Sequence, residues 1–109
     1  MAGYFVLKKS GDQFMFNLKA GNHEVILTSE RYVSKKNAEG GIASVRTNSG
    51  DDGRYERKTS KAGEPYFVLT AANSQTIGKS EMYSSTSAME GGIASCKTNG
   101  SSKEVKDET

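Results

Sequence analysis

The sequence of 109 residues repeats itself at a spacing of 51 residues without a gap. The block Glu-Gly-Gly-Ile-Ala-Ser-x-x-Thr-Asn occupies residues 39–48 and returns at residues 90–99. Isolated matches extend backwards from the block as far as Phe16 and Phe67. A match at one fixed period indicates two copies of one supersecondary unit. We expect a pseudo-twofold axis to relate the two copies.

Each copy has the pattern of three strands followed by a helix. Short apolar or alternating segments predict the strands, at residues 4–9, 13–19, 24–28, 54–60, 66–70 and 75–79. Ser34 and Ser85 are suited to cap the helices that follow, and Asn or Gly residues after each helix are expected to take the left-handed conformation. Residues 103–106 align with the start of the second copy at the same offset, which predicts a last strand that pairs with the other copy. In the alternative, residues 103–109 form a frayed, charged tail.

Length and composition favour one small domain over residues 1–109. A repeat of about 50 residues would bury too little surface to be stable alone, so we expect the repeats, 1–51 and 52–109, to share one core. The formal net charge is +2, with both signs mixed along the chain. This charge balance gives only a weak indication of an anionic partner.

The single cysteine, Cys96, excludes an intrachain disulfide, and its counterpart Val45 predicts a buried apolar side chain. Met1-Ala2-Gly3 runs directly into a strand pattern with no leader, and no apolar segment approaches the length of a membrane span. We therefore expect a reducing, cytoplasmic location, no membrane partner, and a monomer with internal symmetry.

Paired glycines inside both helices need an explanation, because each costs about 1 kcal/mol relative to alanine. We favour a packing role, in which Gly41 and Gly92 bring each helix close to its neighbours. In the alternative, the outward-facing Gly40 and Gly91 leave room for a ligand.

These repeated segments resemble the YegP-like family of small bacterial proteins. The resemblance rests on the Gly-Ile-Ala-Ser blocks, the turns Lys-Ala-Gly-Asn and Ala-Ala-Asn, and the Ser-Glu-x-Tyr segments, and it covers nearly the whole chain. It implies an α+β fold in which two tandem β-β-β-α-β repeats form a single antiparallel-rich sheet. Both helices would lie on one face, and the strands after the helices would be exchanged between repeats. It implies no activity and no site residues.

The residue types that catalysis requires are scarce in this sequence. The one histidine, His23, lies in a predicted turn, and Ser74 takes its place in the second copy. One histidine and one cysteine do not supply a zinc site, and duplication explains paired carboxylates such as Glu39 and Glu90. We expect no catalytic residues, no metal and no cofactor, and we interpret the protein as a non-enzymatic one.

If both helices cover one side of the sheet, the other side is open. Strand alternation places a set of partly apolar side chains there, namely Met15, Asn17, Lys19, Val25, Leu27, Tyr66, Val68 and Thr70. For the first strand, either Tyr4 and Val6 or Phe5 and Leu7 point inward. An open, partly apolar face is typical of interaction surfaces.

Three hypotheses follow, in order of preference. The first is an interaction module that binds an unknown protein partner through the open face. The second is a weak nucleic-acid binder, in which sheet aromatics stack on bases and basic residues meet phosphates; the basic residues are Lys8, Lys9, Lys19, Arg54, Arg57 and Lys58. It ranks lower because Glu56 and Asp51-Asp52 interrupt the basic run. The third is a small-ligand binder in the groove between the repeats.

Overall fold

The computed structural model describes residues 3–109, so Met1 and Ala2, where we predicted no leader, lie outside the described residues. Seven strands and two helices follow one another in the order β1 Tyr4–Ser10, β2 Gln13–Lys19, β3 Val25–Ser29, α1 Lys35–Asn48, β4 Tyr55–Thr59, β5 Pro65–Thr70, β6 Thr76–Lys79, α2 Thr86–Asn99 and β7 Val105–Asp107. A short 3-10 turn, Asp52–Arg54, leads into β4. Neither helix in this part of the chain is long and apolar enough to cross a membrane.

All seven strands belong to one sheet, in the order β4-β5-β6-β3-β2-β1-β7. Its neighbouring strands are antiparallel except for β1 and β7, which are parallel. The predicted α+β class, with a single antiparallel-rich sheet and two helices, is confirmed. Strand β4, which follows α1, pairs with β5, whereas β7, which follows α2, pairs with β1 of the first repeat.

The two repeats meet at the centre of the sheet, where β3 pairs with β6. Thr28 lies opposite Lys79, which is its own counterpart at the 51-residue spacing. A residue pairs with its own counterpart in this way when a twofold axis passes between the two strands. The pairing of β3 with β6 therefore joins the halves of the sheet symmetrically.

Both helices pack on the same side of the sheet. One cluster of buried side chains contains residues of α1, such as Ile42 and Val45, together with Ile93 of α2. The sheet contributes alternate residues to this cluster, including Phe5 and Leu7 from β1. The ambiguity in the first strand is thereby resolved, because Phe5 and Leu7 face the helices and Tyr4 and Val6 face away.

The helix starts agree with the sequence, but the helix ends do not. The Ser34 side chain accepts a hydrogen bond from the Asn37 backbone N–H, and Ser85 does the same for Ala88, both at 3.0 Å. The expected left-handed ends are wrong, because Gly100 has φ −65° and the residue after α1, Ser49, has φ −63°. Glycine is needed at position 100 for space, since a Cβ there would overlap the Ser49 side chain.

Residues that the repeats share join neighbouring strand segments and bring each helix close to a tyrosine. The hydroxyl of Ser80 accepts a hydrogen bond from the buried Phe67 N–H at 3.0 Å, and Ser29 does the same in the first repeat. A Cβ on Gly92 would overlap the Tyr83 ring, and the equivalent Gly41 has a similar contact with a tyrosine. The close approach predicted for Gly41 and Gly92 is present.

Candidate functional site

The face of the sheet opposite the helices, called the open face below, carries seven of the eight predicted surface residues. Along β2 and β5 these residues alternate with core residues, and in β3 Val25 is paired with Lys19 of β2. They are Met15, Asn17, Lys19, Val25, Tyr66, Val68 and Thr70. The eighth, Leu27, is fully buried in the core. Our placement of Leu27 on the open face is wrong.

A β-bulge explains the error at Leu27. Lys19 pairs with Val25 and Leu18 pairs with Leu27, so Ile26 is an extra residue opposite the Leu18–Lys19 step. Such an insertion breaks the alternation of side chains along the bulged strand. Leu27 therefore turns to the helix side with Leu18, and Thr28 takes the open-face position that simple alternation did not give it.

The floor of the open face is less exposed than the sequence suggested. Tyr4, Val6 and Val68 retain 6%, 4% and 7% of their surface. Part of the cover comes from a lysine, because the ammonium of Lys106 lies 4.9 Å from the centre of the Tyr4 ring. The Tyr4 hydroxyl is also hydrogen bonded to Nδ1 of His23 at 2.7 Å. The surface presented to solvent is therefore cationic, and the expected apolar patch lies beneath it.

A band of lysines crosses the open face, with one lysine on every second strand. In sheet order these residues, called the lysine band below, are Lys58, Lys79, Lys19 and Lys106. Strands lie about 4.8 Å apart, so successive lysines are separated by about 10 Å across the sheet and the band is about 29 Å long.

The members of the band occupy two adjacent cross-strand rows. Lys79 and Lys106 lie in a row of directly paired residues, which runs Glu56, Val68, Lys79, Thr28, Asn17, Val6 and Lys106. Lys58 and Lys19 lie in the next row, where they pair with Tyr66 and Tyr4. The band is therefore a narrow cationic path at right angles to the strands.

Ion pairs in residues 3–109 are concentrated away from the band. On the helix side Lys35 contacts Asp107 at 2.5 Å, and Arg57 contacts Glu90 at 2.6 Å. On the open face the band has one ion pair, between Lys58 and Glu56 at 3.7 Å. The other open-face lysines have no carboxylate within 4.0 Å in the described residues, and they are Lys8, Lys19, Lys79 and Lys106.

The charge of the open face therefore exceeds that of the whole chain. Its described strand positions carry five lysines and one glutamate, an excess of four positive charges, against +2 for the full sequence. The opposite sign must then predominate over the rest of the molecule. Such segregation attracts anions to one face.

Sequence reasoning missed two members of the band. Lys79 and Lys106 were absent from the predicted basic set, whereas Arg54 and Arg57 of that set form ion pairs with Asp51 and Glu90. Alternation along β6 would place Lys79 on the helix side with Ile77, which is in the core. A register shift in the pairing of β5 with β6 breaks this alternation, and Lys79 pairs with Val68 on the open face. No local signal places Lys106 beside Val6, since that neighbour depends on the pairing of β7 with β1.

Two equivalent grooves lie on the helix side, where each helix faces a turn of the other repeat. The larger, of about 570 Å³, is lined by residues that include Tyr32, Gly40 and Asn73. The smaller, of about 250 Å³, is lined by their counterparts Tyr83, Gly91 and Asn22. A Cβ on either lining glycine, Gly40 or Gly91, would meet no atom within 4 Å. Packing therefore does not require these two glycines.

The titratable groups on the helix side are ordinary structural ones. Burial raises the pKa of the Cys96 thiol to about 11, and the thiol is completely inaccessible. Burial likewise raises the pKa of Tyr32 and, with smaller contributions from nearby acidic groups, that of Tyr83. Within residues 3–109 no three His, Cys, Asp or Glu side chains are grouped so as to hold a metal ion.

A family model described as a domain of unknown function, DUF1508, matches residues 9–56 and 60–107. The chain belongs to the DUF1508 family. Its two matched units each run from the end of a first strand to the strand after the helix. They place the repeat boundary later than our division at residues 51 and 52, which stays a prediction.

Relatives that match this DUF1508 chain over its full length bear the name UPF0339. A UPF0339 protein of Bordetella pertussis is 62% identical over 109 residues, covering 100% of this chain and 98% of the relative. The UPF0339 protein YegP of Escherichia coli is 60% identical over 110 residues and covers both chains completely.

Solved structures of the family have the same fold. The solution NMR structure of yegP from E. coli, a protein of unknown function, has a TM-score of 0.93 and 59% identity, covering 100% of this chain and 95% of that one. The NMR structure of a UPF0339 protein of Shewanella oneidensis has a TM-score of 0.92 and 53% identity, covering 98% and 92%. The resemblance to the YegP-like family is confirmed.

Proposed function

We propose that this DUF1508 protein is a non-enzymatic interaction module whose open face binds an anionic macromolecule. The observation that carries the proposal is the lysine band, three of whose four ammonium groups have no carboxylate partner in residues 3–109. Unpaired like charges on one face repel one another, and a bound polyanion relieves that repulsion. The helices cover the other face, so the band is accessible.

Binding of heparin, used as a model polyanion, tests the proposal. Backbone amide shifts in a titration of the nitrogen-15 labelled protein should move on β2, β6 and β7 and remain unchanged on α1 and α2. The double variant Lys79→Gln/Lys106→Gln should elute from a heparin column at lower salt than the parent. The control Lys9→Gln/Lys36→Gln removes the same charge from the helix side, where Lys9 lies over Phe14, and should elute later than the open-face variant.

Equal elution of the two variants would show that net charge alone governs binding, and shifts confined to the helices would place the site elsewhere. Either result contradicts the proposal. Thermal melts of both variants provide the check that the fold is intact. Each of the two open-face positions is exposed, so we expect melting temperatures close to that of the parent.

A second candidate function is binding of a small polar molecule in the two grooves, whose linings include Glu30, Lys36 and Glu24. It is favoured by Gly40 and Gly91, which weaken their helices without a packing reason and line the grooves. The variant Gly40→Leu should fill the larger groove without destabilising the fold. A fragment screen by NMR tests the candidate: shifts at Tyr32 and Asn73 that disappear in Gly40→Leu would support it, and an absence of hits in the parent would count against it.

A further inference from the structure

We infer that the anionic macromolecule bound by the lysine band is single-stranded nucleic acid. This inference rests on the function proposed above and adds the class of partner. The band is about 29 Å long, with a cation about every 10 Å, which suits a flexible chain that carries one negative charge on every nucleotide. A strand laid along the band would cross the sheet at right angles to its strands and meet four ammonium groups in succession.

The shape of the open face favours a single strand over a duplex. Proteins read duplex DNA by inserting a helix or a two-stranded ribbon into the major groove. Both helices here pack against the opposite face of the sheet, and their buried residues share the core with Phe5 and Leu7. In residues 3–109 no helix projects from the open face, which is formed mainly by strand residues. A sheet surface suits an extended strand, as in sheet-based RNA-binding domains.

One aromatic side chain is placed to contact bases. Tyr66 is half-buried and pairs with Lys58 at one end of the band. Tyr4 is buried by 94% and is held by His23 and Lys106, so its ring face is already occupied. With one stacking residue and four cations, the predominant contribution is electrostatic. Binding should therefore show little sequence preference and a steep dependence on salt.

Fluorescence anisotropy with a labelled 12-nucleotide oligo(dT), and with oligo(rU) of the same length, tests the inference. If all four lysines neutralise phosphates, the logarithm of affinity should fall against the logarithm of salt concentration with a slope of about −3. Raising salt from about 50 to about 200 mM should then weaken binding about 50-fold. In Lys79→Gln/Lys106→Gln the slope should halve, and the affinity at about 100 mM salt should fall about 25-fold if the two affinities converge at about 1 M salt.

The control Lys9→Gln/Lys36→Gln should keep the parental slope, because those lysines lie outside the band. Tyr66→Leu should weaken binding about fivefold or more without changing the slope, since base stacking contributes about 1–3 kcal/mol. A duplex of the same sequence should bind more weakly than the single strand.

The remaining outcomes separate this inference from the function on which it depends. If the open face binds heparin but not the oligonucleotides, or binds the duplex better, single-stranded nucleic acid is the wrong partner and the anionic interaction module stands. An acidic protein surface would then become the favoured class. If the open face binds neither heparin nor oligonucleotides, both proposals fail together.

Discussion

The adjacent glycines Gly40 and Gly41 should respond in opposite directions to the same substitution. Alanine at either position removes the conformational penalty of glycine in a helix, a gain of about 1 kcal/mol. At Gly40 nothing lies within 4 Å of the new methyl group, so the full gain should appear. With a melting temperature change of about 4 °C per kcal/mol for a domain of this size, Gly40→Ala should melt about 4 °C higher than the parent.

At Gly41 the methyl group would overlap the Tyr32 hydroxyl and lie 2.7 Å from Cζ of that ring and 2.9 Å from Cε2 of Phe16. Neither ring can move away easily, since Phe16 is fully buried and Tyr32 stacks on it with the ring centres 6.2 Å apart. Overpacking costs about 1–3 kcal/mol, and this geometry belongs at the upper end. After the propensity gain, Gly41→Ala should lose about 2 kcal/mol and melt about 8 °C lower.

Urea denaturation followed by circular dichroism measures both free energies of unfolding. A stabilising shift in both variants would contradict the prediction, because helix propensity alone would then account for the data; a destabilising shift in Gly40→Ala would contradict it as well. Tyr32→Phe supplies a further test. Removing the hydroxyl that the methyl group overlaps should recover part of the loss in Gly41→Ala, while leaving Gly40→Ala unaffected.

Three further predictions concern the core and its closing strand. Burial raises the Cys96 pKa from 9.0 to about 11, so the free energy of unfolding should fall by about 2–3 kcal/mol as pH rises between these values. The variant Cys96→Val carries the residue that the first repeat has at this position, and urea melts at several pH values should show a smaller fall in its free energy of unfolding. Ser80→Ala leaves the buried Phe67 N–H without its acceptor and should destabilise the fold by about 1–3 kcal/mol; an unchanged urea midpoint would contradict this. Ending the chain after Ser102 removes β7, including the hydrogen bond from the Phe5 N–H to the Glu104 carbonyl, and should cost about 2 kcal/mol or more; equal stability of the truncated chain would show that β7 contributes nothing.

The elements of this fold were predictable because their signals are local. Ser34 and Ser85 cap the helices where the sequence placed them, and the strands lie within two residues of the predicted bounds. The error at Leu27 arose because a bulge depends on how two strands pair, and alternation within one strand carries no trace of it. The helix ends were mispredicted for a similar reason. Glycine is needed at position 100 because a Cβ there would overlap Ser49 of the other repeat, a contact between distant parts of the chain.

The open face was foreseen, but its chemistry was not. Alternation correctly placed Met15, Asn17 and Lys19 on the open face, yet it did not reveal that Asn17 and the apolar floor are buried, in part beneath Lys106. Lysine stems lie along apolar surface while their ammonium groups stay in water. The sequence of each strand taken alone predicts a partly apolar face. In the assembled sheet, with the strand order β4-β5-β6-β3-β2-β1-β7, the same face presents lysine ammonium groups to solvent.

The repeat itself separates residues that build the fold from residues that can confer function. Positions with a structural task are the same in both halves, as with Ser29 and Ser80 or Gly41 and Gly92, because each half must solve the same packing problem. The residues of the lysine band differ between the two repeats. The position of Lys79 is occupied by Thr28 in the first repeat, and the position of Lys19 is occupied by Thr70 in the second. Threonine satisfies the sheet at these positions, so the fold does not require lysine there. The positive charge of the open face arises where the two halves differ, which is why the most repetitive segment of the sequence is a poor place to look for the binding residues.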